Sequence, residues 1–144
     1  SESLKDVVPV QDVLGYLGGF ELVRRQRESS HDRLFVDLPC HLVHGQKAAG
    51  IPENVLDATG CEWELAPDAM NCCGSGGVYN IQKPENARAI LREKAAFLDQ
   101  LAPDCRPILA TANHVCMMQW QSAAAFVKTP FSVRHVIQLL DPDA

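Results

Sequence analysis

No stretch of this 144-residue chain approaches the ~20 consecutive apolar residues that a membrane-crossing helix needs. No basic amphipathic segment suits insertion into a membrane surface. Positive charge is scarce: 13 Lys and Arg stand against 18 Asp and Glu, and the net charge of −5 argues against nucleic acid, which calls for a basic surface. A secretory signal pattern, an internal repeat and a low-complexity segment are all missing. Cys-x-x-Cys pairs are missing too, and with them the usual zinc-ribbon and ferredoxin spacings. There is no Walker sequence. Gly74-x-Gly76 is followed by Tyr79 where a dinucleotide fingerprint needs its third glycine, and no acidic residue is placed to hold a ribose.

What remains is one domain of ordinary size, 47% hydrophobic and able to bury a core without covalent staples. Six cysteines are too few for a disulfide scaffold. The chain therefore reads as one from a reducing compartment, the cytoplasm, where thiolate ligands are favoured over disulfides.

Residues 1–32 read as an N-terminal helical segment and linker. One or two short helices over 4–23 are broken near Pro9 and Gly18-Gly19, and the charged run 24–33 reads as a solvated connection. From residue 33 to 144 a strand–loop–helix pattern repeats. Leu34-Phe35-Val36 leads to Pro39-Cys40-His41 and a helix over 43–58. Trp63–Ala66 leads to the Cys72-Cys73-Gly74 loop and a helix over 85–101, with Ala87, Ile90, Leu91, Phe97, Leu98 and Leu101 on one buried face. Pro107–Ala110 leads to Asn113-His114-Val115-Cys116 and a helix over 115–126. Phe131–Val133 precedes His135 and a last helix over 135–140. Strands alternating with helices predict an α/β fold, a Rossmann-like three-layer domain with a short parallel sheet of about four strands. Ligands bind such sheets at the carboxyl ends of the strands, so Cys40, Cys72, Cys73 and Cys116 are expected on one rim, with His135 beside them.

Two adjacent cysteines followed by glycines are the most informative feature. A disulfide between sequence neighbours strains the backbone, and adjacent thiols pack poorly into one apolar layer. The pair makes sense where a metal or cluster collects both sulfurs, with Gly74, Gly76 and Gly77 letting the backbone approach and offering N–H groups to negative charge. Thiolates are soft ligands suited to iron–sulfur clusters and to zinc, and helices starting after each cysteine loop lower thiol pKa values even without metal. Three readings follow from the residues: a cluster site, a zinc-stabilised subunit-docking module, and a thiol–disulfide redox domain. His41 and His44 flank Cys40 as the catalytic candidates, in proton relay or sulfur hydrogen bonding, against a plain capping or packing role. Asn113 is a candidate cofactor contact or a helix N-cap. His114 and His135 are weaker candidates. Cys61 and Cys105 precede strands at the opposite end of the sheet and read as structural. Met117, Met118, Trp120 and Tyr79 read as packing or interface residues.

Pro39-Cys40-His41-Leu42-Val43-His44-Gly45-Gln46, Cys72-Cys73-Gly74-Ser75-Gly76-Gly77-Val78-Tyr79-Asn80 and Asn113-His114-Val115-Cys116 together resemble the cysteine-rich CCG domain. That domain occurs in the iron–sulfur subunit of glycolate oxidase, in lactate-utilisation proteins and in the B subunit of heterodisulfide reductase. The Cys-His-Leu-x-His-Gly-Gln and Val-Tyr-Asn segments are most similar to the glycolate oxidase branch. The resemblance implies an electron-transfer domain of a flavin-dependent 2-hydroxy acid oxidase, a non-flavin part of an oxidoreductase complex. Its partners would be a flavin-containing dehydrogenase subunit, the other parts of a longer iron–sulfur subunit, and quinone. It would lie in the cytoplasm, peripheral to the inner membrane through those partners. The resemblance carries Cys40, Cys72, Cys73 and Cys116 over as ligands of an iron–sulfur cluster of the [4Fe–4S] kind, with zinc as the alternative. Where the heterodisulfide reductase pattern ends in Cys-x-x-Cys, its first cysteine is Asn113 here, a departure from the ligand set of a noncubane cluster. The chain begins at Ser1 and lacks ferredoxin-like motifs, and it reads as the C-terminal portion of a longer protein or a stand-alone relative.

Overall fold

The computed structural model describes residues 11–26, 32–45 and 50–141. The expected helix before residue 11 and its break at Pro9, the middle of the charged run and residues 46–49 lie outside those residues.

Four parallel strands form the centre: β1 (Asp32–Asp37), β2 (Glu62–Leu65), β3 (Arg106–Thr111) and β4 (Ser132–His135), in the spatial order β2-β1-β3-β4. The α/β reading from the alternating pattern agrees with this sheet. Leu34, Phe35 and Val36 of β1 and Leu109 and Ala110 of β3 are buried on both faces of the sheet, as near-continuous apolar runs in a parallel sheet demand. β2 is an edge strand with little burial, held by the Arg33–Glu64 ion pair at 2.9 Å and by Trp63 Nε1 donating to Asp57 at 2.8 Å.

The helices are α1 (Val13–Leu17), α2 (Glu53–Ala58), α3 (Tyr79–Gln82), α4 (Pro84–Ala95), α5 (His114–Gln121) and α6 (Val136–Leu140), with 3₁₀ extensions at Ala96–Gln100 and Ser122–Ala125. Pro84 starts α4, where its missing N–H costs nothing. Two expectations are corrected. The single helix over 43–58 is instead a π-helical turn at His41–Gly45 and the separate α2, because Gly50 has φ +131° and Pro52 can only begin a helix. Ile90 is exposed; the buried stripe of α4 runs through Ala87, Leu91, Lys94 and Ala95 and on to Leu98. The charged run also differs from a purely solvated connection: Asp32 and Arg33 belong to β1, and Arg25 N–H donates to the Ala58 carbonyl at 3.0 Å. Leu14 of α1 is buried in the common core.

The chain runs from β1 to β2 on one side of the sheet, then crosses to β3 on the other. The sheet order therefore reverses between β1 and β3, the place where open parallel sheets bind ligands beyond their carboxyl ends. The paired residues Asp37, Thr111 and His135 form one row across those ends.

Candidate metal centre

Cys40 stands three residues beyond β1, and Cys116 lies in the first turn of α5, just beyond β3. They flank the reversal point. The loop after β2 brings Cys72 and Cys73 to the same place. Cys73 Sγ lies 3.2 Å from Cys116 Sγ and 3.0 Å from Ser75 Oγ. The Cys40 thiol lies close enough to Cys72 and Cys73 to feel both of them. All four cysteines expected on one rim are thus neighbours, two as a buried pair and two towards the surface, with Cys72 exposed.

The loop owes its course to glycine. Gly74 has φ +89°, and a Cβ there would stand 2.8 Å from the Ala87 carbonyl oxygen of α4. The turn can therefore press onto the helix only with hydrogen at that position. The Gly74 N–H donates to Cys72 Sγ at 3.4 Å, an example of the backbone donors expected around the sulfurs. Gly76 and Gly77 also have positive φ and carry the chain outward into α3.

Electrostatics separate the buried sulfurs. Donation from Cys116 and from Ser75 holds the Cys73 thiol down at about 6, against burial and the Asp37 charge. The same contact with Cys73, together with burial, drives Cys116 strongly upward. Of the two sulfurs in contact, Cys73 is the one favoured as thiolate. Burial, then the neighbouring Cys72 and Cys73, push Cys40 up.

Of the two roles weighed for it, Asn113 fills that of helix N-cap. Its Oδ1 accepts from the N–H groups of Val115 at 2.8 Å and Cys116 at 3.4 Å, capping α5. Its Nδ2 lies 3.1 Å from His41 Nδ1, tying the Cys40 turn to the Cys116 helix. His44 is exposed in the π-helical turn, and among the described residues no hydrogen bond joins it to the cysteines. His114 stacks on His135 with ring centroids 4.9 Å apart. His135 caps α6, and burial lowers its pKa. Cys61 is buried and Cys105 half-buried, both at the opposite ends of the strands from the other four cysteines.

Sequence reasoning missed Ser75, whose hydroxyl faces Cys73, and a buried ion pair beneath the site. Lys94 Nζ donates to Asp37 Oδ1 at 2.6 Å and to the Asn71 carbonyl at 2.6 Å, while Trp120 Nε1 donates to Asp37 Oδ2 at 2.8 Å. The signal was a lysine on the apolar stripe of α4.

In chemistry the donors fit a thiolate-bound centre: four soft sulfurs, with the nearby Asp37 carboxylate engaged by Lys94 and Trp120. In geometry they are drawn together as thiols. Two sulfurs sharing one zinc at ~2.3 Å stand about 3.8 Å apart, wider than the 3.2 Å seen here. Among the described residues no three Cys, His, Asp or Glu side chains are set to hold a single ion, and a bound centre requires Cys73 and Cys116 to part.

A family model for the cysteine-rich CCG domain matches residues 36–121. The chain is 34% identical over 109 residues to the glycolate oxidase iron-sulfur subunit of Escherichia coli, covering 76% of this chain and 25% of that protein. It is 24% identical over 103 residues to lactate utilization protein A of Bacillus licheniformis, covering 71% of this chain and 42% of that one. It is 36% identical over 67 residues to the B subunit of the fumarate reductase (CoM/CoB) of Methanothermobacter marburgensis, covering 46% and 14%. The chain thus spans less than half the length of each of these relatives. No solved structure matches it.

Proposed function

This chain belongs to the cysteine-rich CCG domain family, and from that premise we propose that it is an iron–sulfur electron-transfer domain of a 2-hydroxy acid oxidising complex. One observation carries the reading: three loops, separated widely in sequence, deliver four thiols to the reversal point of a parallel sheet. Cys40, Cys72, Cys73 and Cys116 are the proposed ligands. The bound cluster would supply one-electron storage and transfer. Around it the chain's own groups hold the sulfurs: Ser75 O–H and Gly74 N–H donate to them, and Asn113 with His41 fixes the Cys40 turn against α5. Gly76, Gly77 and Asn113 are the proposed cofactor-side contacts together with Gly74, and His41 and His44 the proposed proton-handling groups.

Two relatives are named as subunits of an oxidase or reductase, which supports partner subunits here. We take these to be a flavin-bearing dehydrogenase subunit as electron donor and quinone as the onward acceptor, with the domain on the cytoplasmic side. Among the described residues no helix is long and apolar enough to cross a membrane, so contact with a membrane would run through partners. On this reading residues 33–144 form the cluster domain and 1–32 its leading segment.

Anaerobic reconstitution with iron and sulfide tests the assignment. Broad visible absorption that bleaches on reduction is expected for the unaltered chain and for Cys105→Ser, and its loss for Cys73→Ser. Equal absorption in Cys73→Ser would overturn the ligand set.

A second reading rests on the Cys73 thiolate. A buried sulfur held at about 6 beside a thiol at 3.2 Å is an activated nucleophile with its partner in place. A thiol–disulfide role is favoured if the reduced, metal-free chain reduces a dithiol-specific disulfide probe at a rate that Cys73→Ser abolishes.

A further inference from the structure

Three segments carry the cysteines, and all three end on one buried ion pair. Asp37 is the last residue of β1, three before Cys40. The Asn71 carbonyl directly precedes Cys72. Trp120 lies one helical turn beyond Cys116 on α5. Lys94 donates to the first two, at 2.6 Å each, and Trp120 donates to the other Asp37 oxygen at 2.8 Å. Side-chain exposure is 4% for Lys94 and 1% for Asp37.

Burying a lysine on the apolar stripe of a helix is costly, and apolar replacements of buried ion pairs are often neutral or stabilising. Leucine or methionine at position 94 would cover the sheet as well. What neither can do is donate at once to a strand end and to a loop carbonyl. The ammonium has three donors, and two are spent on joining the Cys40 segment to the Cys72 segment. Trp120 adds the Cys116 helix through the carboxylate. Packing accounts for the bulk at this position and leaves the carbonyl bond to Asn71 unexplained.

We propose that Lys94 is a positioning residue for the cysteine site, bridging Asp37 and the Asn71 carbonyl so that the Cys40 and Cys72 sulfurs meet. The proposal rests on the reading that the four cysteines act as one site, and it concerns their placement before any metal is bound.

Phenylarsine oxide captures two thiols only when they stand together, so it reports placement without metal. In reduced, metal-free Cys73→Ser protein the reagent would bridge Cys40 and Cys72, with the modified residues identified by mass mapping. Adding Lys94→Met is expected to weaken capture about tenfold or more, the scale of one lost hydrogen bond to a charged group. Lys94→Met also strands the Asp37 carboxylate and lowers the unfolding midpoint. Asp37→Asn added to Lys94→Met removes the stranded charge. The midpoint is then expected to recover while capture stays weak. Capture at full strength in the folded Asp37→Asn, Lys94→Met protein would overturn the proposal and leave Lys94 a packing residue. Because no metal enters the measurement, a chain that never takes up iron would defeat the electron-transfer reading without touching this result.

Discussion

Between Cys73 and Cys116 one proton is shared by two buried sulfurs, and that sharing has a consequence for stability. Cys73 is held near 6, below its ordinary value of 9.0, and Cys116 is driven above its own. Between about pH 6 and 9 the unfolded chain binds two protons at these thiols and the folded chain one, so the pair's contribution to stability grows as pH rises. Above 9 the unfolded chain has released both while the folded chain keeps one, and the contribution falls. The metal-free protein should therefore draw most stability from this pair near pH 9. Thiolate absorbance of the folded, reduced chain checks the premise directly. One step is expected near pH 6, absent in Cys73→Ser; no thiolate below pH 8 would contradict it. The adjacent cysteines were legible in the sequence because neighbouring thiols have no good packing role. Ser75 was not, since a serine between glycines reads first as a turn residue.

The Cys-Gly loop is the element on which the site depends. Gly74 needs a left-handed backbone and has the Ala87 carbonyl where a side chain would go, whereas Gly77 needs only the backbone and has nothing within 4 Å. Gly74→Ala should cost about 3 kcal/mol or more, combining backbone strain with the displaced helix contact. Gly77→Ala should cost about 1–2 kcal/mol, the left-handed penalty alone. Denaturant midpoints of the two variants decide this, and equal losses would mean that Gly74 is not pressed against α4. Strand positions were legible because each short β-prone run leads through a loop into a helical stretch. The helix over 43–58 was misread because its apolar spacing outweighed Gly50 and Pro52, two breakers three residues or less from the true start of α2. Lys94 was passed over because charge on a helix usually marks the solvent face, and here it lies on the buried one.

At the scale of the whole molecule, topology does what sequence spacing cannot. Thirty-one residues separate Cys40 from the pair and 42 separate the pair from Cys116, yet alternation of strand and helix in a parallel sheet returns every strand-to-helix loop to one end. That gathering was legible from the alternation alone. The close contact of Cys73 with Cys116 was not, because it depends on the order β2-β1-β3-β4 and on the course of the glycine loop. Hydrophobic surface also collects on the segments that carry the cysteines. Met70, Val78, Ile81, Val115 and Met118 are all exposed. The central claim is that the four thiols hold an iron–sulfur cluster, and the most direct measurement is the iron, zinc and acid-labile sulfide content of anaerobically purified protein. Iron with matching sulfide, both lost in Cys73→Ser, is the predicted result. Zinc without sulfide, or neither metal after reconstitution, would contradict it.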